Sequence, residues 1–233
     1  MKANYINVLI ACEESQAECA AFRNLGFNAF SCDVLPSRLN SNWHILGDVT
    51  PFLNGRVQFT TESGNLTQVT KWHLIIAHPP CTYITRAGAC KMYHLVNGVS
   101  QLDSLRYSKM KDAVRFFYAC LNAQADFVAV ENPVPLAIAG LPKPSCWINP
   151  SWFGVKYTKK TLFWLRSLPP LMPQLIFPNP KSYVACSRGK YRSRTFPQVA
   201  HAIAQQWGGF ILDFYSNKLQ NYEHINNVTE TSY

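Results

Sequence analysis

The chain reads as an α/β protein built on a doubly wound, mostly parallel sheet. Three observations lead there. Short apolar runs recur at 5–11, 27–32, 73–77 and 127–130, and runs this uniformly apolar belong to strands covered on both faces. Helical patterns fill several of the intervals, and strand–helix alternation implies parallel pairing. Each run also stops abruptly, at Cys12-Glu13, Asp33, His78-Pro79-Pro80 or Glu131-Asn132-Pro133, so chemically capable residues collect at the carboxyl ends of strands.

Run 5–11 leads through Cys12-Glu13-Glu14-Ser15-Gln16 into a helix over 17–25 that Gly26 stops. A second strand is predicted over 27–32, ending at Asp33, and a third short edge over 43–48. Residues 56–70 are rich in Thr, Gly and Asn and read as an exposed excursion. The strand at 73–77 must leave the sheet at Pro79, because proline lacks the backbone donor and fixes φ. A polar loop with Gly88 and Gly98 follows, then a helix over about 103–123 with Val114, Phe117, Tyr118 and Leu121 on one face. The fifth strand is 127–130. Beyond it the chain is proline-dense, with a strand expected at 161–165 and a helix at 196–207 carrying Pro197 in its first turn. Residues 1–212 are expected to form a single domain, and the polar stretch 213–233 a fraying tail.

With 233 residues, 48% of them hydrophobic, the chain can bury one sizeable core. No stretch is long and apolar enough for a membrane span, and the first residues lack the pattern of a signal peptide, so a cytoplasmic protein with no membrane role is expected. The eight cysteines form no C-x-x-C pair and have no histidine at zinc-finger spacing; no metal site is expected, and reduced thiols are. The sequons at Asn65 and Asn227 then carry no meaning. The net charge of +9 is unevenly spread. The first 131 residues hold eleven basic and ten acidic side chains, whereas 132–212 holds ten basic and no acidic ones. Trp147, Trp152, Phe153, Tyr157, Phe163, Trp164, Tyr183 and Tyr191 are interleaved with these cations. A one-signed block of this kind fits a polyanion such as nucleic acid, although an idle basic surface would look the same. Phosphate contacts would give affinity without naming a target sequence.

Cys81 falls just past the carboxyl end of a strand, where open α/β sheets place their ligands. It is a candidate nucleophile, with a buried structural thiol as the alternative. Asp33 after the second strand suits the ribose hydroxyls of a nucleoside cofactor, and Asp48 behind Gly47 the adenine amino group; acids at strand ends also cap turns. Cys81 and Glu131 together are more specific, since a thiol and an acid facing each other can attack and protonate an electron-poor ring.

Taken in order, several segments resemble the cytosine-C5 DNA methyltransferases, specifically the short phage and prophage members. These are Val8-Leu9-Ile10-Ala11-Cys12-Glu13-Glu14-Ser15-Gln16, Ser31-Cys32-Asp33, Gly47-Asp48-Val49, Ala77-His78-Pro79-Pro80-Cys81-Thr82 and Val130-Glu131-Asn132-Pro133, continuing through Phe153-Gly154, Thr158-Lys159-Lys160-Thr161 with Leu162-Phe163-Trp164-Leu165, and Arg192-Ser193-Arg194-Thr195-Phe196-Pro197. The resemblance covers most of 6–209 and implies a Rossmann-like class I methyltransferase fold using S-adenosyl-L-methionine. It implies that Cys81, beside Pro80, adds as thiolate to C6 of cytosine and that Glu131 hydrogen-bonds or protonates N3. C5 then accepts the methyl group, and Asn132 braces the loop that carries Cys81. Ala11, Cys12, Glu13, Ser15, Asp33, Val34, Asp48, Val49, His78 and Pro79 are the implied cofactor contacts. Arg86, Lys159, Thr161, Arg188, Lys190, Arg192 and Arg194 are the implied contacts to DNA, whose target base must be flipped out of the duplex. The loop with Arg86, Gly88 and Lys91 is the expected lid.

The chain departs from the family pattern in three places. Cys12-Glu13-Glu14-Ser15-Gln16 replaces a glycine-rich cofactor loop, leaving Glu13 or Glu14 either to hold the methionine amino group or to complement a helix N-terminus. Lys159-Lys160-Thr161 stands where arginines usually meet the flipped base, and lysine lacks their bidentate fork. Only about thirty residues separate Leu165 from Arg194, too few for a separate target-recognition domain, so specificity is expected to be low, read by 183–194, or supplied by a partner protein. The alternatives are the same chemistry on a free pyrimidine nucleotide, a catalytically silent DNA-binding homologue, and amino methylation; the last fits poorly because His78 and Cys81 flank Pro79-Pro80.

Overall fold

A computed structural model of the protein describes residues 1–183 and 194–230, with side chains described through 220. In chain order the elements are β1 (Asn7–Ala11), α1 (Ala17–Asn24), β2 (Asn28–Asp33), β3 (His44–Leu46), α2 (Thr50–Leu53), β4 (Gln58–Thr60), β5 (Leu66–Gln68) and β6 (Leu74–Ala77). They continue with β7 (Tyr93–Val96), β8 (Val99–Leu102), α3 (Ser104–Leu121), β9 (Phe127–Asn132), β10 (Cys146–Ile148), β11 (Tyr157–Thr158), β12 (Thr161–Arg166), β13 (Lys181–Ser182) and α4 (Pro197–Glu230). Among the described residues no helix is long and apolar enough to cross a membrane.

The protein is α/β with a seven-stranded, mostly parallel central sheet in the order β10-β12-β9-β6-β1-β2-β3. The five strands from β3 to β9 run parallel, and β12 lies antiparallel to both of its neighbours. The chain steps outward from β1 to β3, then returns to the other side of β1 for β6 and β9. That reversal opens a crevice between β1 and β6, the place where Rossmann-like sheets take ligands.

Alternation along the strands divides the core. Leu9, Phe30, Ile75 and Val128 share one cluster with Phe117 and Cys120 of α3 and Trp164 of β12, while Val8, Ile10, Ile76 and Ala129 share another with Phe22 of α1 and Ile203 and Trp207 of α4. Both faces are covered, which is why the strand runs are almost wholly apolar. Gly208 lets α4 press close: a Cβ there would stand 2.7 Å from the Phe27 ring.

Four expectations change. In α3, Met110, Phe117 and Cys120 are the buried residues, whereas Tyr118 lies to the side and is exposed. The 56–70 excursion is a β4–β5 hairpin anchored by buried Phe59, which stacks on Trp72 with ring centroids 5.8 Å apart. The polar loop contains the β7–β8 hairpin, turned at Asn97-Gly98 with both residues at positive φ. That dipeptide is the sequence signal for such a turn. Finally, α4 does not stop at Trp207 or dissolve at 213; it continues to Glu230, with Phe214 and Tyr215 against Phe127 and Ser216 accepting a 2.8 Å hydrogen bond from the Met1 amino group.

Candidate active site at the carboxyl rim of the sheet

The loop after β1 turns without glycine. Cys12 and Gln16 both adopt left-handed backbone, at φ 62° and 57°, a conformation that costs a non-glycine residue energy unless its surroundings fix it. They do. The Cys12 and Glu13 amides both donate to the Cys32 carbonyl, at 2.7 and 3.2 Å. The buried Gln16 side chain donates to Ser31 Oγ and the Asn40 carbonyl and accepts from the Asn40 amide. Glu13 is also buried and accepts from the Glu18 and Cys19 amides at 2.7 and 3.2 Å, capping α1. Burial, then the nearby Glu18, push its pKa up to about 8. The Glu13 carboxyl is therefore not free for a methionine amino group, and Glu14 is held by Arg38 at 2.6 Å. Both acids serve the loop itself.

Around the crevice, Ala11 is buried and Ser15 half-buried. Asp33 and Asp48 sit on neighbouring strand ends, and each spends Oδ1 on its own turn, to the Leu35 and Thr50 amides respectively. Val34 and Leu35 beside them are exposed apolar side chains, 72% and 53% open, whereas Val49 is buried.

On the other side of the crevice the His78 amide continues the ladder to the Ala11 carbonyl, 2.9 Å away, before Pro79 and Pro80 end it. Cys81 then starts a tight turn in which its carbonyl accepts from the Ile84 and Thr85 amides, at 3.1 and 2.9 Å. Asn132 is fully buried and donates to the Pro79 carbonyl at 3.4 Å, tying β9 to this turn. Arg106 donates to the Thr82 carbonyl at 3.0 Å, in a space that Gly88 leaves open. Ile84 and Met92 are buried pegs, so the segment expected to be a lid is anchored at both ends of its short helical turn. Arg86 on that turn is exposed.

Glu131 reaches the same rim from β9. Cys81 is half-buried, and burial followed by the Glu131 charge raises its pKa while Lys159 lowers it. Lys159 and Thr161 line one cavity with Glu131, His78, Glu18 and Phe163. Within it His78 donates through Nδ1 to Glu131 Oε2 at 3.3 Å, and its Nε2 lies 3.2 Å from Glu18 Oε2. Burial opposes a charged imidazole, but Glu18 and Glu131 outweigh it and hold the His78 pKa well above the ordinary value. Burial likewise opposes a charged Glu131, yet His78 and Lys159 keep that carboxyl below its ordinary value.

Glu18 was not among the expected site residues. Its signal was present: an acid four residues before Phe22 shares the apolar face of α1. Thr195, which donates to Glu18 Oε1 at 3.2 Å, was also missed. Arg194 lines the cavity, while Arg188, Lys190 and Arg192 lie outside the described residues. Neither a protein-family model nor a curated protein sequence matches this chain.

Proposed function

We propose that the protein transfers a methyl group from S-adenosyl-L-methionine to C5 of cytosine in DNA. The observation that carries this reading is that the turn bearing Cys81 is tied through Asn132 and the Pro79 carbonyl to the end of β9 that bears Glu131, the two parent strands being parallel neighbours, so that the Glu131 charge acts on the thiol. A nucleophile and an acid–base group beside each other suit addition to an electron-poor ring. The Cys81 thiolate forms the Sγ–C6 bond, N3 takes up a proton on the Glu131 side, and C5 becomes nucleophilic. C5 then takes the methyl group, a base removes the C5 proton, and cleavage of Sγ–C6 returns the Cys81 thiolate and releases the product.

The crevice residues fit the cofactor. The exposed Val34 and Leu35 offer an apolar surface for an adenine face, and Asp33 and Asp48 stand as acceptors at adjacent strand ends, as nucleoside hydroxyl and amino groups require. Backbone at Ala11 and Cys12, with Ser15, Val49, His78 and Pro79, borders the rest. When bound, the cofactor supplies an electrophilic methyl group.

DNA is favoured over a free nucleotide by the long basic interval, which one phosphate would not need. Exposed Trp147, with the Lys160 ammonium 5.1 Å from its ring centroid, belongs to that surface. Incubation with labelled S-adenosylmethionine and either mixed-sequence duplex or deoxycytidine monophosphate tests the reading, with the nucleosides read by mass spectrometry. Label in 5-methylcytosine from DNA is the expected result, together with a covalent complex on 5-fluorocytosine DNA that Cys81→Ser abolishes. Label on the free nucleotide alone would move the enzyme to nucleotide metabolism, and DNA binding without label or adduct would leave a silent binder.

A further inference from the structure

The proposed reaction needs a proton at ring N3, and Glu131 stands as a carboxylate, which only accepts. The source must touch Glu131. The titratable and charged groups around it come from several elements: Glu18 on α1, His78 and Cys81 after β6, Lys159 before β12 and Arg194 before α4, with Glu13 after β1 facing His78. The Glu13 carboxyl is turned into the α1 amides. His78 hydrogen-bonds Glu131 directly, through Nδ1 at 3.3 Å.

We propose that His78, wedged between Glu131 and the fully buried Glu18, is a positioning residue that stores the proton Glu131 delivers to N3 of the bound cytosine. The inference rests on the methyltransferase reading above and deepens it. Glu18 is the reason the proton stays on the ring. Its side chain is 0% exposed, the Thr195 hydroxyl occupies Oε1, and His78 stands 3.2 Å from Oε2. A carboxylate so deeply buried requires a counter-charge, and an imidazolium supplies it. The Nε2 edge is within ion-pair distance of Glu18 but is not aligned as a hydrogen bond, whereas Nδ1–H points at Glu131. The proton able to move therefore lies on the Glu131 side.

The transfer balances. As Cys81 Sγ donates its electron pair to C6, N3 takes a proton from Glu131, and Glu131 takes the Nδ1 proton of His78. His78 is left neutral, with Nε2–H still beside Glu18. When Sγ–C6 breaks, N3 returns its proton by the same route.

The test combines imidazole ¹⁵N NMR with single-turnover kinetics of the wild type, His78→Gln and Glu18→Gln on cytosine DNA and 5-azacytosine DNA. The extra ring nitrogen of 5-azacytosine makes C6 electrophilic enough to form an adduct without strong help at N3. His78 should be doubly protonated at pH 7.5 in the wild type and neutral in Glu18→Gln. His78→Gln should lose about 100-fold in cytosine methylation, with unchanged DNA affinity and 5-azacytosine adduct formation within about threefold of wild type. Glu18→Gln should fall behind the wild type at pH 8 and approach it at pH 6, where solvent protonates His78 without Glu18. A neutral His78 in the wild type overturns the proposal, as does equal loss on both bases or full activity in His78→Gln. A wild type that forms no adduct with either base would instead overturn the assignment of Cys81 and Glu131, and the proton store with it.

Discussion

At the level of single side chains, the Cys81 thiol is set by opposing neighbours. Burial and Glu131 raise its pKa, and Lys159 pulls it down. Removing the negative neighbour in Glu131→Gln should therefore speed alkylation of Cys81 by iodoacetamide at pH 8, and Lys159→Ala should slow it. An opposite charge shifts a pKa by about one to three units, so rate changes of about tenfold are expected, read by mass spectrometry of the Cys81 peptide. Identical rates in both variants would mean that neither charge reaches the sulfur. Cys81 and Glu131 were legible in the sequence because each ends an apolar run in a distinctive motif. The Glu18–His78 contact was not, since it joins residues sixty positions apart and depends on how α1 is pressed against the sheet. Glu13 stayed undecided for the opposite reason: an acid after a strand can face a ligand or a helix end, and only the direction of the loop, which turns it onto the α1 amides, decides.

Among the elements, α3 begins cleanly because the Asp103 side chain accepts from the Arg106 amide at 2.8 Å. Asp103→Ala should cost about 1 kcal/mol in urea unfolding. The same helix start serves the site, because Arg106 runs back to the Thr82 carbonyl through the space beside Gly88. A Cβ at Gly88 would come within 2.6 Å of Arg106 Nη2, so Gly88→Ala should displace the arginine and speed limited proteolysis between 83 and 102. Unchanged cleavage would show that the clamp is dispensable. The buried strands were readable from their apolar runs. The β7–β8 hairpin was passed over despite its Asn97-Gly98 turn, because its strands are polar or exposed and carry no burial pattern. Helix α4 outran its predicted end because Phe214 and Tyr215 find a partner in Phe127, and such tertiary contacts override the polar drift in composition.

For the whole molecule, stability should peak on the acid side of neutrality although the sequence pI is about 9.2. His78 holds its proton more tightly folded than unfolded, so its contribution is complete below its unfolded pKa and is lost as pH rises through the folded value. Glu13, neutral in the fold until about pH 8, works in the same direction, since the unfolded chain releases that proton far earlier. Glu131 and Asp126, held below their ordinary values, lose their contribution at low pH instead. Calorimetry should find the highest Tm between about pH 5 and 6.5 and a decline toward pH 9; a flat profile over that range would contradict the charge states assigned here. The strand alternation legible in the sequence implied a doubly wound sheet. Its order was not legible, because the antiparallel insertion of β12 between β9 and β10 is settled by pairing across long separations.

The packing of α4 over α1 also sets a schedule. Phe22 and Phe27 are made early, yet the helix that covers them, with Trp207 and Gly208, follows more than 170 residues after α1. At ribosomal speeds of about 5 to 20 residues per second, the 173 positions from Asn24 to Pro197 take roughly 10 to 35 s to synthesise. For that interval the face that α1 and α4 share has only α1 to cover it. The proton store is unfinished too, since Thr195, which holds Glu18, is made only at the end. The covering of that face and the closing of the Glu18 site thus fall in the same late stretch of synthesis.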